Sequence, residues 1–227
     1  MSETSTIGIF GPGKVGTAIA RLAVAAGHRV EIAGSHRQQS LQLLLDVLAP
    51  GAMQTHSAET LAARSDLTIL AVPFNRSLDL PYSSFSGRII IDALNYWPAI
   101  DGVIAELDGI SQGTSEVVAA RNPAARWVKS LNHLGYHDMD EHARPSSDPT
   151  RRAIAVASDD SDAKRFVSAF IDSVGFDPVD AGSLADGIHL QTGTEVFGRE
   201  LSRAQFERML VRPGSAAEPA QRADAAA

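Results

Sequence analysis

Short apolar runs rich in β-branched residues alternate along this chain with segments of helical periodicity, and the first run leads through a glycine turn into a helix. These observations predict an α/β fold, a Rossmann-type doubly wound, mostly parallel sheet with a small C-terminal α/β extension. The alternation implies right-handed βαβ units. Strands apolar on both faces fit a parallel sheet that is covered on both sides. A length of 227 residues suits one such domain with a small appendage.

Ile7–Phe10 is a short apolar run ending in glycines and reads as a buried strand. From Lys14 to Ala26 the apolar residues fall at helical spacing, and Gly27-His28 stops the helix. Arg29–Ala33 alternates and reads as the second strand, and Gln38–Leu48 is helical again. Leu67–Val72 and Arg88–Asp92 are two further buried strands rich in β-branched residues. Thr114–Ala120 is expected to be helical, Trp127–Leu131 a strand, and the polar, Pro-containing stretch His133–Thr150 a long loop. Ala153–Ala157 reads as a strand, Asp160–Val174 as a helix capped by Ser158-Asp159, Phe176–Ala181 as a strand and Leu201–Val211 as a helix. The expected organisation is a dinucleotide-binding core over 1–125 and a C-terminal part over 126–212 that completes the sheet and an acceptor cleft. The Ala/Pro-rich tail over 213–227 is expected to be disordered.

Composition removes several function classes. A chain 44% hydrophobic and 21% charged is not disordered as a whole. The absence of cysteine excludes disulfides, thiolate nucleophiles, zinc fingers and iron–sulfur clusters. With 20 Lys and Arg against 27 Asp and Glu, a net charge of −7 and no basic block, nucleic acid is not an expected partner. Met1–Thr6 lacks the basic and apolar regions of a signal peptide, and no apolar run is long enough to span a membrane. A cytoplasmic protein without a membrane partner is the expectation.

Gly11-Pro12-Gly13-Lys14-Val15-Gly16 is a G-x-G-x-x-G turn placed between the first strand and the first helix, the context in which that pattern binds a dinucleotide. The first glycine permits the tight turn, the second lets the backbone approach a pyrophosphate, and the third lets helix and strand pack closely. Free N–H groups and the positive dipole end of the helix then hold the phosphate charge. An NAD enzyme places an acid at the end of the second strand to accept from the ribose hydroxyls. This chain has Gly34-Ser35-His36-Arg37 there, and Glu31 falls about 13 Å short of Ser35. Arg37 offers a planar, permanently charged fork suited to a 2′-phosphate, and Ser35 and His36 add hydrogen-bonding groups. NADP(H) is therefore expected in preference to NAD(H). Ligands of open α/β sheets bind beyond the carboxyl ends of the strands. Val72-Pro73, Asp92 to Asn95, and Leu131-Asn132-His133 stand at those ends as candidates to line a nicotinamide pocket.

The chain resembles the NADPH-dependent reductases of the deazaflavin coenzyme F-420. The likeness is carried by Ile9 to Gly16, Ala33 to Arg37, Leu70 to Pro73, Val128 to Asn132, and Ser158 to Lys164 continued at Gly175 to Gly182. It covers roughly residues 5 to 200, with Pro12 standing where characterised members carry threonine. The resemblance implies a Rossmann domain holding NADP(H), with a smaller C-terminal part completing a cleft for the deazaflavin as co-substrate. It implies that Gly11, Gly13, Lys14 and Val15 touch the pyrophosphate and that Ser35, His36 and Arg37 hold the 2′-phosphate. It further implies that Val72 and Pro73 line the cofactor and that Leu131 and Asn132 sit near the nicotinamide. In such enzymes hydride passes directly between stacked rings, so positioning carries the catalysis and no side-chain acid is obligatory.

Some features stay open. His133, His137 and His142 share a segment with Asp138, Asp140 and Glu141, but their spacing matches no metal motif, and a solvated polar loop without a metal is expected. His133 is the candidate proton donor, should one be needed. Thr192–Arg199 is either a substrate-facing loop or the entry to the last helix. Phe206, Met209 and Leu210 mark core packing or a subunit contact, with a homodimer expected. The alternatives to deazaflavin chemistry are an NADPH-dependent reductase of an imine, a carbonyl compound or a ferric chelate, and an NADP(H)-binding sensor without turnover.

Overall fold

The computed structural model describes residues 4–34 and 41–210. Six strands form one parallel sheet, each reached through a connection that crosses its face. The chain enters through β1 (Thr6–Phe10), α1 (Lys14–Ala25), β2 (Arg29–Ala33), α2 (Leu41–Leu48), β3 (Met53–Thr55), α3 (Ala58–Arg64) and β4 (Leu67–Leu70). It continues through α4 (Phe74–Ser77), β5 (Ile89–Asp92), α5 (Pro98–Asp101), α6 (Thr114–Ala119) and β6 (Arg126–Lys129). The strand order β3-β2-β1-β4-β5-β6 reverses direction between β1 and β4, where a doubly wound sheet leaves its crevice. The predicted Rossmann-type fold is therefore what the chain adopts.

Alternate residues of each strand feed opposite cores, which is why the strands are apolar throughout. Ile7, Ile9, Leu67, Ile69, Ile89, Ile91 and Val128 pack on one face with α1, α2 and the later helices. Phe10, Leu70, Ile90 and Trp127 face the other, against Leu61, Phe74 and Val118.

The C-terminal part follows as α7 (Tyr136–His142), β7 (Ala153–Val156), α8 (Ser161–Ser173), β8 (Asp177–Asp180) and α9 (Arg203–Leu210). β7 and β8 pair with each other in parallel. Lys129 N donates to Ala157 O at 2.8 Å and Ala157 N to Lys129 O at 3.0 Å, an antiparallel bridge that joins this small sheet to the end of β6.

Two expectations are corrected. His133–Thr150 is not a loop throughout, because Tyr136–His142 forms α7. Its polar sequence hides one core anchor, the fully buried Met139, and an ion pair from Asp140 to Arg21 of α1 holds it down. The cap of α8 is Asp160 rather than Ser158-Asp159; its carboxylate accepts from Asp162 N at 3.0 Å and Ala163 N at 2.9 Å. Two hydrogen bonds from Arg126 hold that carboxylate well below the usual range. Between β2 and β4 the chain also builds β3 and α3, neither of which its sequence announced. The first residues of the predicted second helix, Gln38 to Ser40, lie outside the described residues, as do Val211 and the predicted tail.

Candidate functional site

Each glycine of the turn has a separate steric reason. Gly11 has φ +112°, and a Cβ there would overlap the carbonyl of Ala71 on the neighbouring strand end. A Cβ on Gly16 would overlap the carbonyl oxygen of Gly11, so the first turn of α1 lies directly against the loop it follows. A Cβ on Gly13 would meet nothing within 4 Å, and its φ of −79° is one any residue adopts. Gly13 thus borders open space where the other two are enclosed. It is also the N-cap of α1, with no side-chain cap and no acidic residue in the first turn, which leaves backbone N–H groups and the positive helix end for an anion. Lys14 is exposed beside them, its ammonium 5.4 Å from the ring centroid of Tyr136 on α7.

A cleft of about 980 Å³ opens over this turn. It brings together Gly11, Pro12, Gly13, Val72 and Pro73 of the predicted set, with Gly34 at the end of β2. Lys14, Val15, Gly16, Asn95, Leu131 and Asn132 are not among its walls. The sequence did not single out Arg76, which with His56, Ser57 and Glu59 lines the cleft as well. Arg76 stands on α4 just past Pro73, where the chain turns out of β4; that turn was its one available signal. Ser57 caps α3 through Thr60 N at 3.1 Å, so its visibility depended on recognising that helix. Ser35, His36 and Arg37 lie outside the described residues. Glu31 is occupied elsewhere: Thr55 Oγ1 donates to it at 2.5 Å, and Arg64 stands 3.7 Å away.

The other predicted residues gather at the ends of β5 and β6. β6 lies three strands from β1, a lateral distance of about 14 Å. Asn95 Nδ2 donates to Asn132 O at 2.8 Å, and Asn132 Nδ2 donates to Asn95 Oδ1 at 3.1 Å and to Leu190 O at 2.6 Å. Asn132 Oδ1 is buried without a hydrogen-bond partner. Just before Asn132, Leu131 is buried with φ +63°, a left-handed conformation that costs a leucine about 1–3 kcal/mol. Its neighbours hold it there: Ser130 Oγ donates to Ala155 O at 2.7 Å and Gly198 N to His133 O at 2.8 Å. Beneath this loop Lys129 and Asp92 are both fully buried, 3.4 Å apart. Lys129 Nζ donates to Leu94 O at 2.7 Å while Asp92 Oδ1 accepts from Leu94 N at 2.9 Å, so the pair fixes the backbone just before Asn95.

His133 is buried, accepts from Ala155 N at 3.1 Å through Nε2, and stands against the ring of Phe206. Burial, helped by the Lys129 charge, lowers its pKa to about 4, so the ring is neutral near pH 7 and has no imidazolium proton to donate. The ring of His137 lies on Tyr136 instead, and no group of three or more His, Asp or Glu able to hold a metal occurs among the described residues. Among them, too, no helix is long and apolar enough to cross a membrane.

Several solved structures share this architecture. A hypothetical protein from Sinorhizobium meliloti is 29% identical, with a TM-score of 0.73 over 88% of this chain and 96% of its own. A protein from Arthrobacter sp. FB24, described as an F420-dependent NADP-reductase, is 21% identical with a TM-score of 0.69 over 88% of this chain and 100% of its own. A reductive aminase from Aspergillus terreus in complex with NADPH and ethyl levulinate is 17% identical, with a TM-score of 0.55 over 83% of this chain and 58% of its own. The last two show the shared fold. Residues 6–96 match a family model that begins with β1 and the glycine turn and ends just past Asn95. That model is of the family described as NADP oxidoreductase, coenzyme F420-dependent, and over that stretch the chain is similar to it.

Proposed function

We propose that this protein transfers a hydride between NADP(H) and the deazaflavin coenzyme F420, directly from ring to ring. The observation that carries the reading is the contrast within the turn, where Gly11 and Gly16 are closed in by backbone and Gly13 opens onto the cleft. A backbone bared at that one point, at an uncapped helix start, fits a pyrophosphate. The family-model match over residues 6–96 supports NADP as the dinucleotide and F420 as its redox partner.

In this reading the N–H groups of Gly13, Lys14 and Val15 bind the pyrophosphate, and the Lys14 ammonium adds charge beside it. Ser35, His36 and Arg37 bind the 2′-phosphate. Val72 and Pro73 line the path from the turn toward the ends of β5 and β6. NADPH supplies the hydride when bound. The strained Leu131 and the paired amides of Asn95 and Asn132 orient the reacting rings, which is the contribution such a reaction asks of the protein. No side chain is required to move a proton, consistent with the uncharged, inward-packed His133.

The test is a spectrophotometric assay with NADPH and oxidised F420, with NADH in parallel. Loss of the deazaflavin absorbance with NADPH and little with NADH is the expected outcome. NADPH binding without F420 turnover would move the acceptor to an imine, a carbonyl compound or a ferric chelate, or leave a sensor. Absence of NADPH binding would remove the reading altogether.

A further inference from the structure

The segment that leaves β5 carries a feature that dinucleotide binding does not account for. Trp97 is 44% exposed, and Ile100 and Val103 beside it are 73% and 85% exposed, an apolar patch on a chain with ample polar residues to cover it. Trp97 stands two residues past Asn95. It is held there rather than left loose. Trp97 N donates to Asp101 Oδ2 at 2.8 Å, while Asp101 Oδ1 accepts from Asn75 N at 3.1 Å, which ties the segment to α4 beside the cleft. The Phe74 and Tyr96 rings meet at 5.6 Å across the same junction.

From the other side the loop 191–199 closes on this segment. Thr192 Oγ1 donates to Tyr96 O at 3.2 Å, and Gly198 N donates to His133 O at 2.8 Å. Phe197, between those anchors, meets the Trp97 indole edge-on, with centroids 5.7 Å apart and ring planes at 74°. A perpendicular aromatic partner holds the indole in place, and Trp97 keeps 44% of its surface exposed. One partly exposed, anchored aromatic side chain therefore stands two residues past Asn95, on the segment that leaves β5. Loop 191–199 joins it to the end of β6.

We propose that Trp97, backed by Phe197, is the surface on which the flat ring of the hydride acceptor packs. The acceptor class it selects is a planar heteroaromatic molecule rather than a small aliphatic imine or carbonyl compound. This rests on the proposed function for its placement of the reaction at the ends of β5 and β6. Trp97 is a specificity determinant in this account and Phe197 a positioning residue. Stacking on one aromatic face is worth on the order of a tenfold change in affinity.

The probes are oxidised F420 and riboflavin, both intrinsically fluorescent. Each is titrated with protein saturated with NADP+ and followed by fluorescence anisotropy. Trp97→Ala is expected to weaken whichever ring binds by about tenfold, Trp97→Phe to restore it to within about threefold, and neither to alter the NADPH dissociation constant. Unchanged ring affinity in Trp97→Ala overturns the inference, as does an equal loss of NADPH affinity or a wild type that binds neither ring. A Trp97→Ala protein that changes only its sedimentation behaviour overturns it too, since the patch would then bind a second copy of the chain. The two readings fail separately. F420 turnover with a Trp97-independent affinity sinks this inference alone, and Trp97-dependent riboflavin binding without any F420 turnover sinks the deazaflavin assignment alone.

Discussion

The α-carbon of Gly16 is packed so closely beneath the carbonyl oxygen of Gly11 that any side chain at position 16 would overlap it. Helix and turn are thereby locked into one unit, and the open position between them, Gly13, is left to meet a ligand. The two glycines should separate stability from binding. Gly16→Ala is expected to lower stability by about 2–3 kcal/mol, or roughly 5 °C or more in Tm, because backbone must move. Gly13→Ala should leave Tm unchanged and weaken NADPH at least about tenfold, since its methyl group enters the space the pyrophosphate would fill. Differential scanning calorimetry and an NADPH fluorescence titration on both variants check this. The reverse pattern would contradict it.

In the proposed reading, Arg37 carries the choice between the two dinucleotides. Arg37→Asp replaces a phosphate-binding fork with a repelling carboxylate and is expected to weaken NADPH by about 100-fold while changing NADH little. Equal loss of both cofactors in isothermal titration would show that the 2′-phosphate is held elsewhere.

His133 makes stability depend on pH in a definite direction. Its folded pKa of about 4 lies below the ordinary value of 6.5, so between these limits the unfolded chain binds the extra proton. The associated stability is fully present above about pH 6.5 and is lost as pH falls toward 4, at most about 3 kcal/mol in all. Urea denaturation from pH 4.5 to 7 should show that slope in the wild type and a flatter one in His133→Gln. Turnover between pH 6 and 8 should show no titration assignable to this residue.

The buried pair Lys129–Asp92 is expected to matter through its balance. Lys129→Met strands a buried carboxylate and should cost about 3–5 kcal/mol in urea denaturation, whereas adding Asp92→Asn should recover a large part of that loss. A Lys129→Met protein as stable as the wild type would mean that Asp92 takes up a proton or finds another partner at no cost.

The parts of this molecule that could be read from its sequence were those whose physics is local. β1, β4 and β5 are apolar on both faces because helices cover both, and short runs of Ile, Leu and Phe, interrupted inside the strands only by the small Gly8 and Thr68, record that directly. The glycine turn carried its own meaning through spacing and context. α7 escaped because a seven-residue helix with a single fully buried anchor, Met139, has no stripe to detect. β3 escaped because three residues, one of them the exposed Met53, are too few for an alternation. The pairing of Asn95 with Asn132, the burial of Lys129 on Asp92 and the meeting of Trp97 with Phe197 join residues 37 to 100 positions apart. Such contacts exist only once the sheet order is fixed. The rule that open sheets bind ligands at their carboxyl ends singles out Asn95, Leu131 and Asn132 only as candidates, and their mutual packing is what the structure adds.

The most direct test of the account is a single-turnover experiment with NADPH carrying deuterium on the transferred position, mixed with the protein and oxidised F420 in ordinary water. Direct ring-to-ring transfer predicts that the deuterium is retained in the reduced deazaflavin, with NADH at the same concentration giving little product. Reduced deazaflavin without the label would contradict direct transfer, and no reduction at all would contradict the assignment of F420 as the acceptor.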